Sequence, residues 1–424
     1  MKLRLDYGTD GLPLEFAPER AEVIEPQHVP PAGDVSGTLR RALRTPIGRP
    51  PLHTLVPPGR KIGISVCDIT RAQPRQAMLE ALFAELPGID PRDVTIFIAT
   101  GTHRQNTPEE IERMIGAQFA RDCRIICHDS RDNSSLADVG ATASGVPVLL
   151  NREWLRCDFK ITTGFVEPHF FAGFSGGPKM VAPGLAGLAT VMELHNVARI
   201  GHPKATWGIT HGNPVHDDVR AIAQMTGVDF AFDVILNRDQ KVVEAFAGDL
   251  LQEHAAACDV ARNHAMRAVD QPFDVVVTTN SGYPLDQNLY QAVKGMSAAA
   301  KVVKRDGTII CAAECRDGIP SHGPYGEILE SRTSPRELLE MITTPGYSRA
   351  DQWQVQIQAQ IQLKARVLVK ADCLSDAQIH KAHFTPVHDV SAAVGEAMRQ
   401  AGPDATLCVL PHGPQTIPYL RSER

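Results

Sequence analysis

The chain has no surplus of positive charge: 43 Lys and Arg against 49 Asp and Glu leave a formal net charge of -6. That excludes a general electrostatic attraction to nucleic acid or to anionic membranes, while leaving room for a local basic patch. Nine cysteines in 424 residues are too few, and odd in number, for a disulfide scaffold, which fits a reducing compartment. No apolar run approaches about 18 residues, so no transmembrane helix is expected. Met1 to Gly8 alternates charged and apolar residues and reads as a half-buried strand, not as the continuous apolar core of a signal peptide. The expectation is a cytoplasmic protein with neither nucleic acid nor membrane as a partner. Hydrophobic residues at 43% and charged residues at 22% are globular values, which exclude a disordered, collagen-like or coiled-coil chain.

At roughly 150 residues per domain, the length implies two to three domains. Pro26 to Pro58 is rich in Pro and Gly and reads as a long covering segment, with a short helix over Thr38 to Leu43. From Lys61 onward, short β-branched runs alternate with helical stretches, the pattern of βα units and a mostly parallel sheet. One set of strands is expected at Lys61–Val66, Val94–Ala99, Arg124–His128 and Phe159–Thr163. A second is expected at Phe273–Thr279, Thr308–Ala313, Arg366–Val369 and Thr406–Leu410. The Ala-rich stretch from Asp249 to Asp270 reads as a helix, and Gln271-Pro272 as a boundary. The fold class is therefore α/β: two Rossmann-like domains, residues 1–270 and 271–424, with the active site in the cleft between them. The last strand is a candidate to pack back on the first domain.

Ligands of open α/β sheets bind beyond the carboxyl ends of the strands, and the residues there are unusually polar. The first strand leads into Asp68-Ile69-Thr70-Arg71, and the second into Gly101-Thr102-His103-Arg104. Thr107, Pro108 and Glu110 spell a capping box for the next helix, which confines His103 to a short βα loop. The strand from Phe159 runs into Glu167-Pro168-His169 and Ser175-Gly176-Gly177-Pro178-Lys179. In the second set, a helix carries Tyr290, Gln291 and Lys294, the last two sharing a face by their spacing.

Each feature has a bland reading. A lone loop histidine is more often a hydrogen-bonded surface residue than a catalyst, a Gly cluster often only builds a turn, and the Tyr290 helix face would usually be solvated. Convergence shifts the balance, because a parallel sheet gathers Asp68, Arg71, His103, His169 and Lys179 on one edge. The stretch ending at Lys179 is not a phosphate-cradling P-loop, since Lys179 lies between Pro178 and Met180. Cys123/Cys127 and Cys311/Cys315 read as small core residues, and His211 and His216 as part of a structured loop.

As an ordered set, these motifs together with Glu193-Leu194-His195-Asn196 resemble the nickel-pincer lactate racemase family. The resemblance implies a nickel-pincer mononucleotide: nickel bound to a pyridinium-3,5-bisthiocarboxylic acid mononucleotide, tethered covalently through Lys179. It implies His195 as the nickel ligand and His103 and His169 as paired acid/base residues. Asp68, Ile69, Thr70, Arg71, Gly176 and Gly177 match the cofactor-contacting segments, while Arg71, Tyr290, Gln291, Lys294 and Trp353 match the substrate side. It further implies a small 2-hydroxy acid substrate and enzymes of cofactor synthesis as loading partners.

The chemistry asks for such a set. Deprotonating C2 of a 2-hydroxy acid would build a carbanion beside a carboxylate, whereas moving the C2 hydrogen as hydride leaves a flat 2-oxo acid that can be reduced on its other face. The hydroxyl lies on opposite sides in the two enantiomers, so two bases are needed. Histidine exchanges protons near neutrality. Arg71 and Lys294 would hold the carboxylate, and imidazole with sulfur donors suits nickel. The expected activity is racemisation of a short-chain aliphatic 2-hydroxy acid. The alternatives are a larger aromatic, dicarboxylic or sugar acid, a pincer carrier without turnover, and a zinc hydrolase using His103, His169 and His195.

Overall fold

A computed structural model describes residues 1–321 and 323–423. The chain divides into two compact units: one of His28–His195 and Pro203–His264, the other of Met1–Gln27, Asn196–His202 and the residues from Ala265 onward. Among the described residues no helix is long and apolar enough to cross a membrane.

The first unit is built on a six-stranded sheet in the order Val242–Gly248, Phe230–Leu236, Phe159–Phe165, Ile62–Cys67, Val94–Ala99, Arg124–Cys127. All neighbours are parallel except the edge strand Val242–Gly248, which runs antiparallel to Phe230–Leu236. Ile64 lies in register with Ile96 on one side and Ile161 on the other, and all three are fully buried. Burying such side chains contributes about 1.5–3 kcal/mol each as an upper estimate, which is why apolar residues dominate these strands although Ser65, Thr95, Lys160, Thr162 and Thr163 interrupt them. The chain starts at Ile62–Cys67, builds two strands outward on one side, then returns to lay Phe159–Phe165 on the other. The reversal leaves a topological switch point beyond Cys67 and Phe165, where ligands of open α/β sheets bind. The covering segment contains a helix, Val35–Arg44, longer than the expected Thr38 to Leu43 because Asp34 caps it by accepting from the Gly37 N–H at 2.9 Å.

The second unit has its own six-stranded parallel sheet, ordered Thr385–Pro386, Arg366–Lys370, Val303–Ala312, Phe273–Thr279, Leu407–Leu410, Ala21–Val23. Two sequence expectations change here. The N-terminal strands were placed with residues 1–270, yet Ala21–Val23 is the edge of this second sheet, in register with Leu407, Cys408 and Val409. Parallel pairing across nearly the whole chain leaves no local pattern to read. The helix expected over Asp249 to Asp270 ends at Ala265, and Met266–Val269 forms a strand paired parallel with the last strand, Ile417–Leu420. No Gly or Pro separates helix from strand in the sequence, so the switch goes unmarked.

Candidate functional site

Asp68 begins the loop after Ile62–Cys67, and that loop is tied down from within. The buried Arg75 donates from Nε to the Cys67 carbonyl at 2.7 Å and from Nη2 to the Arg71 carbonyl at 2.7 Å, and also to the Asp68 carbonyl. Gln73 accepts the Cys67 N–H at 2.7 Å and donates to Thr163 Oγ1 at 2.7 Å. The loop thus holds its shape before any ligand arrives. Thr70 donates from its backbone N–H and its hydroxyl to Asp68 Oδ1 at 3.0 and 2.6 Å. Arg71 is exposed, and Ile69 half-buried.

His103 follows Val94–Ala99, one strand over, and its Nδ1 lies 2.6 Å from Asp68 Oδ2. The carboxylate can only accept, so Nδ1 carries the proton and the neutral ring keeps its lone pair on Nε2. Burial pushes the Asp68 carboxyl up, but the His103 hydrogen bond and charge, Arg71 and Thr70 outweigh it and lower the group to about 2. Asp68 is therefore ionised at neutral pH. Its side chain is 3% exposed while that of His103 is 43% exposed, so a buried charge orients an accessible base. The capping box of Thr107 and Glu110 forms as expected and fixes the start of the following helix, Pro108–Ile115.

His169 sits on a two-residue strand, Pro168–His169, paired antiparallel with Gly173–Phe174. Its Nδ1 accepts from the Ala172 N–H at 3.2 Å and, at the limit of bonding, from the Phe171 N–H at 3.5 Å. That places the proton of the neutral ring on Nε2, the opposite sense to His103.

Phe171, which no sequence motif singles out, is the residue that gathers the rest. The His169 ring meets its ring edge-to-face at 4.5 Å between centroids, the His195 ring does so at 5.1 Å, and Lys179 Nζ lies 5.7 Å from its centroid. Lys179 lies on the one-turn helix Gly177–Met180 and His195 caps the C-terminus of the helix Leu188–Leu194. His195 Nδ1 donates to the Val191 carbonyl at 2.7 Å, so Nε2 is the nitrogen with a lone pair. Burial lowers the imidazole to about 4, with Lys179 adding to the effect, and the ring is neutral. A buried neutral imidazole oriented through Nδ1 is the usual form of a metal-ligating histidine. Among the described residues no cluster of three or more His, Cys, Asp or Glu is arranged to hold a metal ion.

What Gly176 and Gly177 accommodate within this unit is protein. A Cβ on Gly177 would lie 2.5 Å from the His254 ring, and one on Gly176 would lie 2.9 Å from the Phe165 carbonyl. Both also adopt positive φ, 72° and 48°. His216, expected on a loop, lies buried on the helix Pro214–Thr226, capped by Asn213. Burial pushes the Cys311 thiol up to about 12 and the Cys123 thiol to about 11.

In the second unit, Tyr290, Gln291 and Lys294 form a half-buried stripe on the helix Leu289–Ala299, whose N-cap Asn288 accepts the Gln291 N–H at 3.0 Å. Trp353, from the helix Gln352–Lys364, joins them: its Nε1–H donates to Tyr290 Oη at 3.0 Å. Gln354 reinforces the pairing by donating to the Tyr290 carbonyl at 2.5 Å.

Residues 7–208 match the model of the lactate racemase N-terminal domain, and residues 268–417 that of the lactate racemase C-terminal domain. A lactate racemase of Lactiplantibacillus plantarum is 36% identical over 380 residues, and one of Thermoanaerobacterium thermosaccharolyticum 34% identical over 382 residues; each alignment covers 89% of both chains. The lactate racemase apoprotein structure from T. thermosaccharolyticum superposes with a TM-score of 0.92 at 31% identity, covering 99% of this chain and 100% of that one. A Thermotoga maritima protein structure, at 17% identity and a TM-score of 0.69, shares the fold.

Proposed function

Since the chain belongs to the lactate racemase family, we propose that it is an isomerase that inverts C2 of lactate or a similar short-chain 2-hydroxy acid. In this reading it works with a nickel-pincer nucleotide, loaded by separate cofactor-synthesis enzymes. The observation that carries it is the convergence of His169, Lys179 and His195 on the single ring of Phe171. An acid/base group, a nucleophilic amine and a neutral imidazole with its lone pair on Nε2 are what a tethered, metal-bearing planar group requires, so the donor set fits.

Lys179 would hold the group covalently and His195 would ligate its nickel. When bound, the group supplies an electrophilic pyridinium carbon able to take a hydride from C2 and return it. The chain's own residues do the remainder. His103 Nε2, its ring oriented by Asp68, accepts the hydroxyl proton of one enantiomer, and the Asp68 carboxylate stabilises the imidazolium that results. His169 serves the other enantiomer through Nε2. Exposed Arg71 suits the substrate carboxylate, and we assign Tyr290, Gln291, Lys294 and Trp353 to the substrate side as well. A carrier would have no use for a base oriented by a buried carboxylate, which favours turnover over carriage.

The test is to produce the protein with its cofactor-synthesis enzymes and incubate it with L-lactate carrying deuterium at C2 in ordinary water. Chiral chromatography with mass detection should show D-lactate that retains the label. Washout of deuterium into solvent would instead indicate proton abstraction, and absence of D-lactate would overturn the activity.

A further inference from the structure

Behind the turn that carries Lys179 lie two acids with no part in the scheme above. Asp233 on the strand Phe230–Leu236 is 1% exposed, and Glu253 on the helix Leu250–Ala265 is 0% exposed. Asp233 Oδ2 accepts the Gly177 N–H at 2.7 Å, two residues before Lys179. Its oxygens press against glycine backbone: a Cβ on Gly164 would come within 2.7 Å of Oδ1, and one on Gly176 within 3.1 Å of Oδ2. Both Glu253 oxygens are buried without a donor among the described residues, and the Asp233 carboxyl lies within hydrogen-bonding reach of the Glu253 carboxyl. Two carboxyl groups hydrogen-bond only if one of them carries a proton.

We propose that Asp233 and Glu253 share one proton and act together as the positioning pair of the Lys179 turn, Asp233 anchoring Gly177 while Glu253 donates to Asp233 and holds it. The surroundings favour this state. Burial, then the charge of Asp233, pushes Glu253 well above the carboxylate range, with Asp249 at the start of its helix adding to the effect. Burial raises Asp233 too, against the lowering by the Gly177 N–H and the Glu253 hydrogen bond. Lys179 and Arg220 bear on the neighbouring His254 and Arg262 on Cys258, while the influences on Glu253 itself are burial and the acids Asp233 and Asp249. His254 is held down to about 4 by burial, and Cys258 and Cys67 are pushed up by it. A second ionisation would therefore set two negative charges side by side under the turn.

The inference about tethering rests on the reading of Lys179 as the attachment site, but the pair can be tested without it. In the protein free of cofactor, amide hydrogen exchange at Gly177 to Lys179 should accelerate at least about tenfold in Asp233→Ala. Asp233→Asn, which can still accept from Gly177, and Glu253→Gln, whose amide donates permanently, should keep near wild-type protection. Raising the pH should loosen the turn in the wild type more than in Glu253→Gln at the same pH. Unchanged exchange in Asp233→Ala, or equal loss of protection in Glu253→Gln, would overturn the pair. If Asp233→Ala does not fold, Glu253→Ala against Glu253→Gln makes the same comparison. After cofactor loading, intact mass should show a smaller fraction of Lys179 adduct in Asp233→Ala, restored in Asp233→Asn, with Lys179→Ala as the blank. Full adduct on a loosened turn would refute positioning for attachment. No adduct on the wild type would refute the tether and leave exchange to judge the pair.

Discussion

The Asp68 carboxylate accepts the Nδ1 proton of His103 at 2.6 Å, and this contact decides which nitrogen of His103 can act as a base. Asp68→Asn keeps the shape but removes the charge that stabilises the imidazolium, and the amide can turn its N–H₂ toward Nδ1. The tautomer with a proton on Nε2 would then be favoured. Turnover should fall by roughly 10²-fold or more, with cofactor and nickel content near normal. A variant with wild-type kcat would show that the contact is structural only.

The same contact gives an acid dependence of stability with a definite sign. Asp68 is lowered from 3.8 to about 2 in the folded protein, so its contribution is fully present above 3.8 and is lost as the pH falls toward 2. At most about 2.5 kcal/mol is involved, since each tenfold change in proton affinity corresponds to about 1.4 kcal/mol. Asp68→Asn cannot titrate. The stability gap between wild type and variant, measured by urea unfolding, should be wider at pH 6 than near pH 2.5. A gap independent of pH would contradict the lowered Asp68.

Lys179 and His195 can be separated by what each variant loses. Lys179→Ala should abolish the covalent adduct in intact-mass spectra while thermal unfolding changes little, because a half-buried lysine on a one-turn helix carries little core packing. His195→Ala should retain the adduct but lose nickel on dialysis. Unchanged nickel in that variant, or an adduct persisting on Lys179→Ala, would refute the respective role.

The sequence made the central strands legible because each carries a short buried apolar core, Ile96 to Ile98 in Val94–Ala99 and Val275 to Val277 in Phe273–Thr279, rich in β-branched residues. It made the strand-end residues legible because polar groups must cluster where a parallel sheet opens. It could not show that Ala21–Val23 closes the second sheet, since three residues pairing with Leu407 to Val409 leave no local trace. Trp353 was reached by resemblance, and its bond to Tyr290 depends on two helices meeting. Phe171 and Asp233 were missed for different reasons. An aromatic in an apolar stretch reads as core, and one Asp within Phe-Ala-Phe-Asp-Val-Ile-Leu gives no hint of the Gly177 N–H it receives.

The two acid/base histidines differ in a way that makes their replacement informative. His103 presents a lone pair at Nε2, whereas neutral His169 presents Nε2–H because its Nδ1 accepts from the backbone N–H of Ala172. For His169 to take a proton at Nε2, its ring proton must move to Nδ1 and that backbone contact must open. Net inversion requires one histidine to remove the hydroxyl proton and the other to return one, so both directions of racemisation should suffer in either variant, by about 10² to 10⁴-fold. His103→Gln and His169→Gln should keep adduct and nickel near wild-type levels, since neither residue is assigned to hold them. The difference lies in partial reactions: under single turnover, each variant should still oxidise the enantiomer served by the remaining histidine, giving a 2-oxo acid that is not converted to the opposite hand. His103→Gln should spare one enantiomer and His169→Gln the other. Rapid quench and chromatography of lactate and its 2-oxo product would read this directly. Variants that lose both half-reactions equally, or that spare the same enantiomer, would show that the two histidines do not divide the substrate by hand.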